Sequence, residues 1–297
     1  MHHLLGIGDL DPGDLQELVS LADRIKADPR AVAGALAGRS IGFFFMKPSL
    51  RTWVSCDVAA SQMGAHPIVI RNDQAGLGTR ETPEDIGRVL ERYLDLVGLR
   101  VFDHADLERI AAVVSVPVVN LLSDREHPCQ AVADLQTLAE HRRLEGARLA
   151  YLGDGNNTCH SLVQAATMAG IEMRVATPPG YEPNAAVLTT ARRHGEVLLT
   201  HDPREAVAGV DAVYTDVWAS MGQEQEAAAR RQLFVPYQVN LELFELAKRD
   251  AIFLHCLPAH RGEEVTDEVL GHSRSRVFDQ AENRLHSFKA ILMKALG

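Results

Sequence analysis

Short apolar runs alternate with longer amphipathic stretches along almost the whole chain, and this alternation constrains the fold more than any other feature. The runs have the length of β-strands, and the stretches between them have the periodicity of helices. Strands that alternate with helices form parallel sheets with helices on both faces. The sequence therefore predicts an α/β protein. The predicted strands are 41–46, 66–70, 96–102 and 116–122 in the first half, and 148–153, 172–177, 197–202, 210–218 and 251–257 in the second.

The chain has 297 residues, which suffices for two domains of about 150 residues each. The stretch DLQTLAEHRRLEGAR, residues 134–148, is predicted to contain a polar helix that ends at Gly146, and the join between the halves is placed there. The last stretch, 279–297, has the pattern of an amphipathic helix, which Glu282-Asn283-Arg284 are predicted to begin.

Charge and composition exclude several classes of protein. A net charge of −10 argues against a nucleic-acid partner, because such proteins need a basic surface. No apolar run is long enough to cross a membrane, and the N-terminus lacks the pattern of a signal peptide. The cysteines, which form no CxxC motif, indicate reduced thiols in a cytoplasmic protein and no zinc site; they are Cys56, Cys129, Cys159 and Cys256.

Open parallel sheets bind ligands beyond the carboxyl ends of their strands, so the residues after each strand are the candidates for a site. Ser49-Leu50-Arg51-Thr52 follow the first strand and open a helix. Hydroxyls and a guanidinium at a helix N-terminus suit a phosphate group. The alternative is that Ser49 caps the helix and Arg51 lies on the surface. Arg100, in the third strand, belongs either to the same anion site or to a structural ion pair.

Two further strands end in polar motifs. His127 and Gln130 open the helix after the fourth strand, where His127 either caps the helix or contacts a ligand. The fifth strand ends in GDGNN, residues 153–157. This loop is similar to a dinucleotide-binding loop but lacks the third glycine and the later acidic residue, which disfavours a nucleotide site.

The last two strands are also followed by polar or reactive residues. Asp216, Ser220 and Met221 follow the eighth strand, and Cys256-Leu257 follow the ninth. The proline after Leu257 is expected to hold that residue in an extended conformation. Cys256 is either an inert buried thiol or a reactive one. Together the strand ends predict a crevice for an anionic, phosphorylated small molecule and a second polar ligand.

These residues lie in stretches by which the chain resembles the carbamoyltransferases, and among them the ornithine carbamoyltransferases most closely. The stretches are SLRT (49–52), HPCQ (127–130), GDGNN (153–157), DVWASMG (216–222), HCLPAHRGEEVTDEV (255–269) and FDQAENRLH (278–286). The resemblance implies transfer of the carbamoyl group of carbamoyl phosphate to the side-chain amine of L-ornithine, which gives L-citrulline and phosphate. It implies no metal and no organic cofactor.

The resemblance also implies the architecture, which is two doubly wound parallel-sheet domains. Residues 1–137 would form a carbamoyl-phosphate-binding domain, and residues 138–279 would form an ornithine-binding domain. A C-terminal helix, 280–297, would cross back to the first domain. The family further implies a homotrimer with sites near its subunit interfaces.

The family's site residues are carried over position by position. Those implied to hold carbamoyl phosphate are Ser49, Leu50 (through its backbone), Arg51, Thr52, Arg100, His127, Gln130 and Arg284. Those implied to hold ornithine are Asn157, Asp216, Ser220, Met221, Cys256 and Leu257. The catalytic roles fall to Arg51, Arg100, His127, Asp216 and Cys256, with Cys256 positioning the amine and not forming an acyl intermediate.

The sequence departs from the family pattern at two positions. Trp53 stands where the family has arginine, which predicts weaker binding of carbamoyl phosphate, and Gly76 stands where many relatives have glutamine. Glu81, which matches an acidic residue of the same loop, is expected to pair with Arg51 or another arginine of the site. The alternatives to ornithine transfer are a putrescine or N-acylornithine carbamoyltransferase and a catalytically silent relative.

Overall fold

The computed structural model describes residues 1–219 and 227–297. The chain forms two compact units, Met1–Gln136 with Glu282–Gly297, and Thr137–Ala281. Each unit contains one parallel sheet flanked by helices. The prediction of an α/β protein with two parallel-sheet domains is confirmed.

The first unit contains a four-stranded sheet in the order β2-β1-β3-β4. Its strands are β1 (Ser40–Phe45), β2 (His66–Arg71), β3 (Leu96–Arg100) and β4 (Val118–Leu122). The helices that begin in this unit are α1 (Pro12–Ala27), α2 (Leu50–Gln62), α3 (Asn72–Ala75), α4 (Pro83–Leu90), α5 (His104–Ala111) and α6 (Pro128–Ala139), and a 3-10 helix spans Ile7–Asp9. The chain moves outward from β1 to β2 and then returns to the other side of β1, so the strand order reverses between β1 and β3.

The second unit contains a five-stranded sheet in the order β7-β6-β5-β8-β9. Its strands are β5 (Arg148–Leu152), β6 (Glu172–Ala176), β7 (Val197–Thr200), β8 (Ala212–Thr215) and β9 (Ile252–His255). The remaining helices are α7 (Asn157–Met168), α8 (Ala185–Ala191), α9 (Pro203–Val207), α10 (Ala227–Phe234), α11 (Leu241–Phe244), α12 (Asp267–Leu270) and α13 (Val277–Leu296), with a 3-10 helix at Val235–Tyr237. Here the order reverses between β5 and β8.

Local sequence chemistry accounts for several of the helix starts. The Asp11 carboxylate accepts the N–H of Asp14 and so caps α1, and the Thr82 hydroxyl accepts the N–H of Asp85 and caps α4. A proline at the first position of each helix lacks the N–H that would otherwise need a partner. The core of the first unit includes fully buried Phe44 of β1.

All nine predicted strands are present, with shifts of a few residues at their ends. The polar helix predicted to end at Gly146 is wrong, because α6 ends at Ala139 and its last two turns are buried. Asp134 is polar but fully buried there, so the polar residues of this stretch did not indicate where the helix ends. The terminal helix begins at Val277, earlier than predicted.

The C-terminal helix returns to the first unit, as expected. The ammonium of Lys26 in α1 donates to the Asn283 side chain at 2.8 Å. The Phe288 ring packs on that of Phe43 in β1, with centroids 5.8 Å apart. Buried Lys289 donates to Gln62 Oε1 at 2.6 Å. The helix therefore packs on the sheet and on both α1 and α2.

Across the two described stretches of the chain, no helix has both the length and the apolar character that a bilayer crossing requires.

We predict that Lys289→Met raises the free energy of unfolding at pH 7 by about 1 kcal/mol, because methionine fills a similar volume without a buried charge. Burial lowers the pKa of Lys289. Since the folded-state pKa lies below the unfolded-state value, the wild-type protein gains stability as the pH rises between the two. Thermal midpoints of variant and wild type should therefore differ more at pH 7 than at pH 10. A lower midpoint for the variant at pH 7 would contradict this account.

Candidate active site

The reversal of strand order in the first unit brings the residues after β1 close to the end of β3. Phe45, the last residue of β1, lies opposite Arg100, the last residue of β3. Ser49 adopts an extended conformation at the start of α2, and its hydroxyl makes no capping hydrogen bond. The interpretation of Ser49 as a side-chain cap is therefore wrong. Ser49 directly precedes α2, so its hydroxyl lies at the helix N-terminus that was predicted to bind a phosphate.

The first turn of α2 presents backbone donors at this edge. The earliest bond to a carbonyl within the helix runs from Trp53 N–H to the Ser49 carbonyl at 3.0 Å. The N–H groups of Leu50, Arg51 and Thr52 precede it and point out of the helix N-terminus, as in the first turn of any α-helix. The Leu50 side chain is exposed, which leaves its backbone as the part suited to a ligand. Arg51 is half-buried in the same turn.

Two arginines surround a buried histidine in this unit. Arg100, His127 and Arg284 are all at least nine-tenths buried. Burial, and then the positive charges of Arg284 and Arg100, hold the pKa of His127 well below its usual value. The imidazole is therefore neutral near pH 7. A neutral ring still has one N–H, so it can donate a hydrogen bond without carrying a charge. The backbone carbonyl of His127 accepts the N–H of Gln130 at 3.0 Å and so begins α6.

A chain of hydrogen bonds fixes the side chains beside His127. Gln130 Nε2 donates to Asp134 Oδ1 at 2.7 Å, and Gln130 Oε1 accepts from Arg284 Nη1 at 2.5 Å. Arg284 Nη2 lies 3.5 Å from Thr52 Oγ1. An ionised carboxylate can only accept and a guanidinium can only donate, so the Gln130 amide has one favourable orientation. We call Thr52, Arg100, His127, Gln130 and Arg284 the arginine set.

Both departures from the family pattern lie in the first unit, outside the arginine set. Trp53 is about half exposed, at 47% of its surface, on α2. Gly76 has φ +73°, and a Cβ there would lie 2.8–2.9 Å from the Arg80 side chain. The turn therefore favours glycine, because other residues rarely adopt this conformation. Glu81 is exposed in the single chain, and its expected pairing with Arg51 or another arginine of the site stays a prediction.

In the second unit, the reversal between β5 and β8 brings Asp216 next to the loop after β5. Asn156 Nδ2 donates to Asp216 Oδ2 at 2.9 Å, and the Cys256 thiol, after β9, donates to Asp216 Oδ1 at 3.0 Å. Asp216 is 5% exposed. We call Asn156, Asp216 and Cys256 the carboxylate set. In this arrangement the Cys256 thiol donates a hydrogen bond to a carboxylate.

The turn after β9 is closed by His255. The Leu257 N–H donates to His255 Nδ1 at 2.8 Å, so the ring proton resides on Nε2, which lies 3.1 Å from Glu264 Oε1. Leu257 has φ +57°, which is a left-handed conformation. The expectation of an extended Leu257 is therefore wrong. The hydrogen bond between His255 and Leu257 closes a tight turn that contains Cys256.

The glycine-rich loop after β5 is explained by close backbone approach. A Cβ on Gly155 would lie 2.3 Å from Pro183 N and 2.6 Å from the Tyr181 carbonyl oxygen. The Gly155 N–H donates to that same oxygen at 2.9 Å. Glycine at 155 is therefore needed for packing within the loop, and this removes the remaining support for a dinucleotide loop. Asn157, which was predicted to bind a ligand, is the first residue of α7 and is half-buried.

Ser220 and Met221 lie outside the described residues. The residues on either side are tied to the loop after β5. Arg230 in α10 donates to buried Asp154 at 2.8 Å and to the Trp218 carbonyl oxygen at 3.0 Å. The Arg230 guanidinium also lies over the Tyr181 ring, 4.8 Å from its centroid.

Comparison with known proteins gives a consistent result for both units. The carbamoyl-P binding domain of aspartate/ornithine carbamoyltransferase matches residues 2–140, and the Asp/Orn binding domain of the same enzymes matches residues 145–295. The chain belongs to the aspartate/ornithine carbamoyltransferase family.

Individual members of the family match over nearly the whole chain. An ornithine carbamoyltransferase of Parafrankia sp. strain EAN1pec is 50% identical over 98% of this chain and 94% of its own length. The structure of ornithine carbamoyltransferase from Pyrococcus furiosus has a TM-score of 0.94 at 45% identity, covering 98% of this chain and 96% of its own. An acetylornithine transcarbamylase complexed with acetylcitrulline has a TM-score of 0.89 at 29% identity, with full coverage of both chains.

Two groups of potential metal ligands occur in the described parts of this family member. They are Asp216, His255 and Cys256, and His260, Glu263 and Glu264, each with ligand atoms within 4.8 Å of one another. In the first group, both nitrogens of His255 already have partners, and Cys256 donates to Asp216. In the second, Glu263 is paired with Arg231 at 2.7 Å. The expectation of no metal stays a prediction.

Sequence reasoning overlooked the roles of Asp134 and Asn156, whose side chains contact predicted site residues. Asp134 accepts from Gln130, and Asn156 donates to Asp216. Asp134 lies four residues after Gln130, which places both on one helix face and was a usable signal. The neighbouring asparagines of GDGNN gave no basis for assigning different roles to Asn156 and Asn157.

We predict that Gly155→Ala lowers the free energy of unfolding by about 3 kcal/mol, because the new methyl group would overlap backbone atoms that have no free rotation. The matched control is Gly195→Ala in the same unit, where the nearest atoms lie at 3.3 Å. Thermal unfolding of the two variants measures the difference. Equal midpoints would show that the 181–183 segment moves aside without cost.

Proposed function

We propose that the protein transfers the carbamoyl group of carbamoyl phosphate to the side-chain amine of L-ornithine and releases L-citrulline and phosphate. The observation that carries the proposal is the neutral imidazole of His127, buried beside the cationic side chains of Arg100 and Arg284. Such a site provides fixed positive charge for a phosphate together with an uncharged donor for a carbonyl oxygen. Carbamoyl phosphate requires both.

Residues of the first unit would bind carbamoyl phosphate. The hydroxyls of Ser49 and Thr52, the Leu50 N–H and the Arg51 guanidinium hold the phosphate oxygens, with Arg100 reaching both the phosphate and the carbamoyl oxygen. His127 and Gln130 hold the carbamoyl group, and Arg284 closes over it. Gln130 suits this role because Asp134 engages its amide nitrogen and leaves its oxygen directed away from that carboxylate. A carbamoyl NH₂ group needs such an acceptor.

The chemistry follows from charge that develops during the reaction. When the neutral amine attacks the carbamoyl carbon, negative charge grows on the carbamoyl oxygen, and His127 and Arg100 stabilise it. Arg51 and the N-terminus of α2 stabilise the negative charge of the departing phosphate. Donors that are already fixed in a water-poor site need no reorganisation, which is why they lower the barrier. No bond to the enzyme has to form.

Residues of the second unit would bind ornithine. Asp216 pairs with the α-ammonium, while Asn157, Ser220 and Met221 hold the amino-acid end. Cys256 and the Leu257 backbone lie beside the reacting amine. Cys256, which donates a hydrogen bond to Asp216, positions the amine. It is not needed as a nucleophile, because the amine attacks carbamoyl phosphate directly.

The assignment of ligands to domains forms part of the proposal. Residues 1–137 with the helix 280–297 take carbamoyl phosphate, and residues 138–279 take ornithine. The protein works as a homotrimer in the cytoplasm without a metal or organic cofactor. The descriptions of the two matching family domains support the assignment of ligands to domains.

We predict citrulline formation from carbamoyl phosphate and L-ornithine, with kcat in the usual enzymatic range of about 1–1000 s⁻¹. With N-acetylornithine, which lacks the α-ammonium, kcat/KM should fall about 100-fold or more, because buried Asp216 loses its charged partner. Putrescine, which lacks the carboxylate, is the second comparison. Turnover confined to either alternative amine would reassign the substrate. No turnover with any of them would identify a silent relative.

We predict that Trp53→Arg lowers the KM for carbamoyl phosphate about twofold, because a partly exposed charge near the anion site contributes only a fraction of a kcal/mol. Val54→Arg is the matched control. It adds the same charge at an equally exposed position one residue further along α2, about 100° around the helix. Initial rates at saturating ornithine measure both. An unchanged KM in Trp53→Arg would show that the arginine of other family members does not act through its charge.

A further inference from the structure

Asn156 has its side-chain amide held in one orientation. Its Oδ1 accepts the N–H of Cys159 at 3.1 Å, which caps α7. A backbone N–H can only donate, so the opposite orientation would set two donors against each other. The Tyr151 hydroxyl, at 3.2 Å from the same oxygen, favours the same orientation. The amide nitrogen therefore has to face Asp216.

Asp216 has one fixed donor on each carboxylate oxygen. Asn156 Nδ2 reaches Oδ2 at 2.9 Å, and the Cys256 thiol reaches Oδ1 at 3.0 Å. Two donors on opposite oxygens fix the plane of the carboxylate as well as its position.

The other titratable groups around Asp216 supply no positive charge. His255 lies close to it, but its Nδ1 accepts the Leu257 N–H and its Nε2 faces Glu264, so the ring holds a single proton. Burial and nearby acidic groups raise the pKa of Tyr151 and of Cys159 well above their usual values, so both are neutral. Asp154 is negative and is paired with Arg230. Within the described residues, Asn156 and Cys256 are therefore the side chains whose hydrogen bonds hold Asp216.

We propose that Asn156 is a positioning residue for the amino-acid substrate. Through its amide N–H it keeps the Asp216 carboxylate aligned for the substrate ammonium, and through Asp216 it aligns the Cys256 thiol. Its role differs from that of neighbouring Asn157, because it acts through Asp216 and not by touching the substrate. This inference rests on the proposed function, in which Asp216 binds the ammonium of ornithine.

The decisive variant is Asn156→Asp, with Asn240→Asp as its matched control. Aspartate keeps the helix cap but places a carboxylate oxygen against Asp216 Oδ2. Two carboxylates at that distance share one proton near neutral pH, and the shared proton leaves as the pH rises. Asn240 caps α11 in the same way, accepting the N–H of Leu243 at 2.9 Å, and none of its hydrogen bonds involves a carboxylate in the described chain.

We predict that the ratio of kcat/KM for ornithine in Asn156→Asp to that in wild type is highest at pH 6.5 and falls at least about tenfold by pH 9.5. While the carboxylate pair holds one proton, it has the wild-type charge and the protonated oxygen can donate in place of the Asn156 amide. Deprotonation removes this donor and leaves two carboxylates that repel each other. Asn240→Asp should track wild type at every pH. A ratio that does not change with pH would overturn the proposal, because a loss that comes only from packing has no reason to titrate.

Two further variants separate the possible failures. Asn156→Ser keeps a capping oxygen but cannot reach Asp216, so its kcat/KM should fall about tenfold at every pH; wild-type kinetics in this variant would also overturn the proposal. Asp216→Asn tests the proposed function itself. If Asp216→Asn leaves ornithine turnover intact, the ornithine site is wrongly assigned. If it abolishes turnover while the Asn156→Asp ratio stays flat with pH, only the role of Asn156 is wrong.

Discussion

Both sheets are parallel throughout, and in each the strand order reverses once, between β1 and β3 and between β5 and β8. At such a reversal the loops after neighbouring strands leave toward opposite faces, which opens a space at the carboxyl edge. The polar residues of each unit lie at that edge. Arg100 ends β3 opposite the end of β1, and Asp216 follows β8 next to the loop after β5. The topology therefore determines which distant residues of a unit can meet.

Burial then determines what the assembled side chains can do. Buried polar groups have to be hydrogen-bonded, and each such bond removes a degree of freedom. The Gln130 amide is held between Asp134 and Arg284, and the Asn156 amide between a helix N-terminus and Asp216. His127 stays neutral because it is buried and has two guanidiniums nearby. The surroundings of these side chains therefore determine the orientation of the two amides and the protonation state of His127.

The sequence was sufficient to predict the α/β class, all nine strands and most positions at the strand ends, because hydrophobic periodicity is local and strongly expressed. It was not sufficient where tertiary contact overrides local pattern. Residues 134–148 were predicted to hold a polar helix that ends at Gly146, yet the helix ends at Ala139 and Asp134 is buried against Gln130. Leu257 was expected to be extended, but the His255 ring captures its N–H. The GDGNN loop was compared with a dinucleotide-binding loop, whereas Gly155 is needed because the backbone of residues 181–183 lies too close for a side chain.

The two departures from the family pattern lie outside both the arginine set and the carboxylate set. Trp53 is about half exposed, and Gly76 lies in a turn that its own positive φ requires. Water screens a charge lost at an exposed position, whereas the buried partners of His127 act at low dielectric and are screened far less. Loss of catalysis would therefore be expected from a change within the arginine set or the carboxylate set. The residues proposed for carbamoyl transfer include Arg100, His127, Gln130, Arg284, Asp216 and Cys256, and all are present, so the silent-relative alternative has to rest on Trp53 and Gly76. Trp53 is half exposed, where single substitutions have the smallest energetic effect, and buried Gly76 is favoured by its own turn.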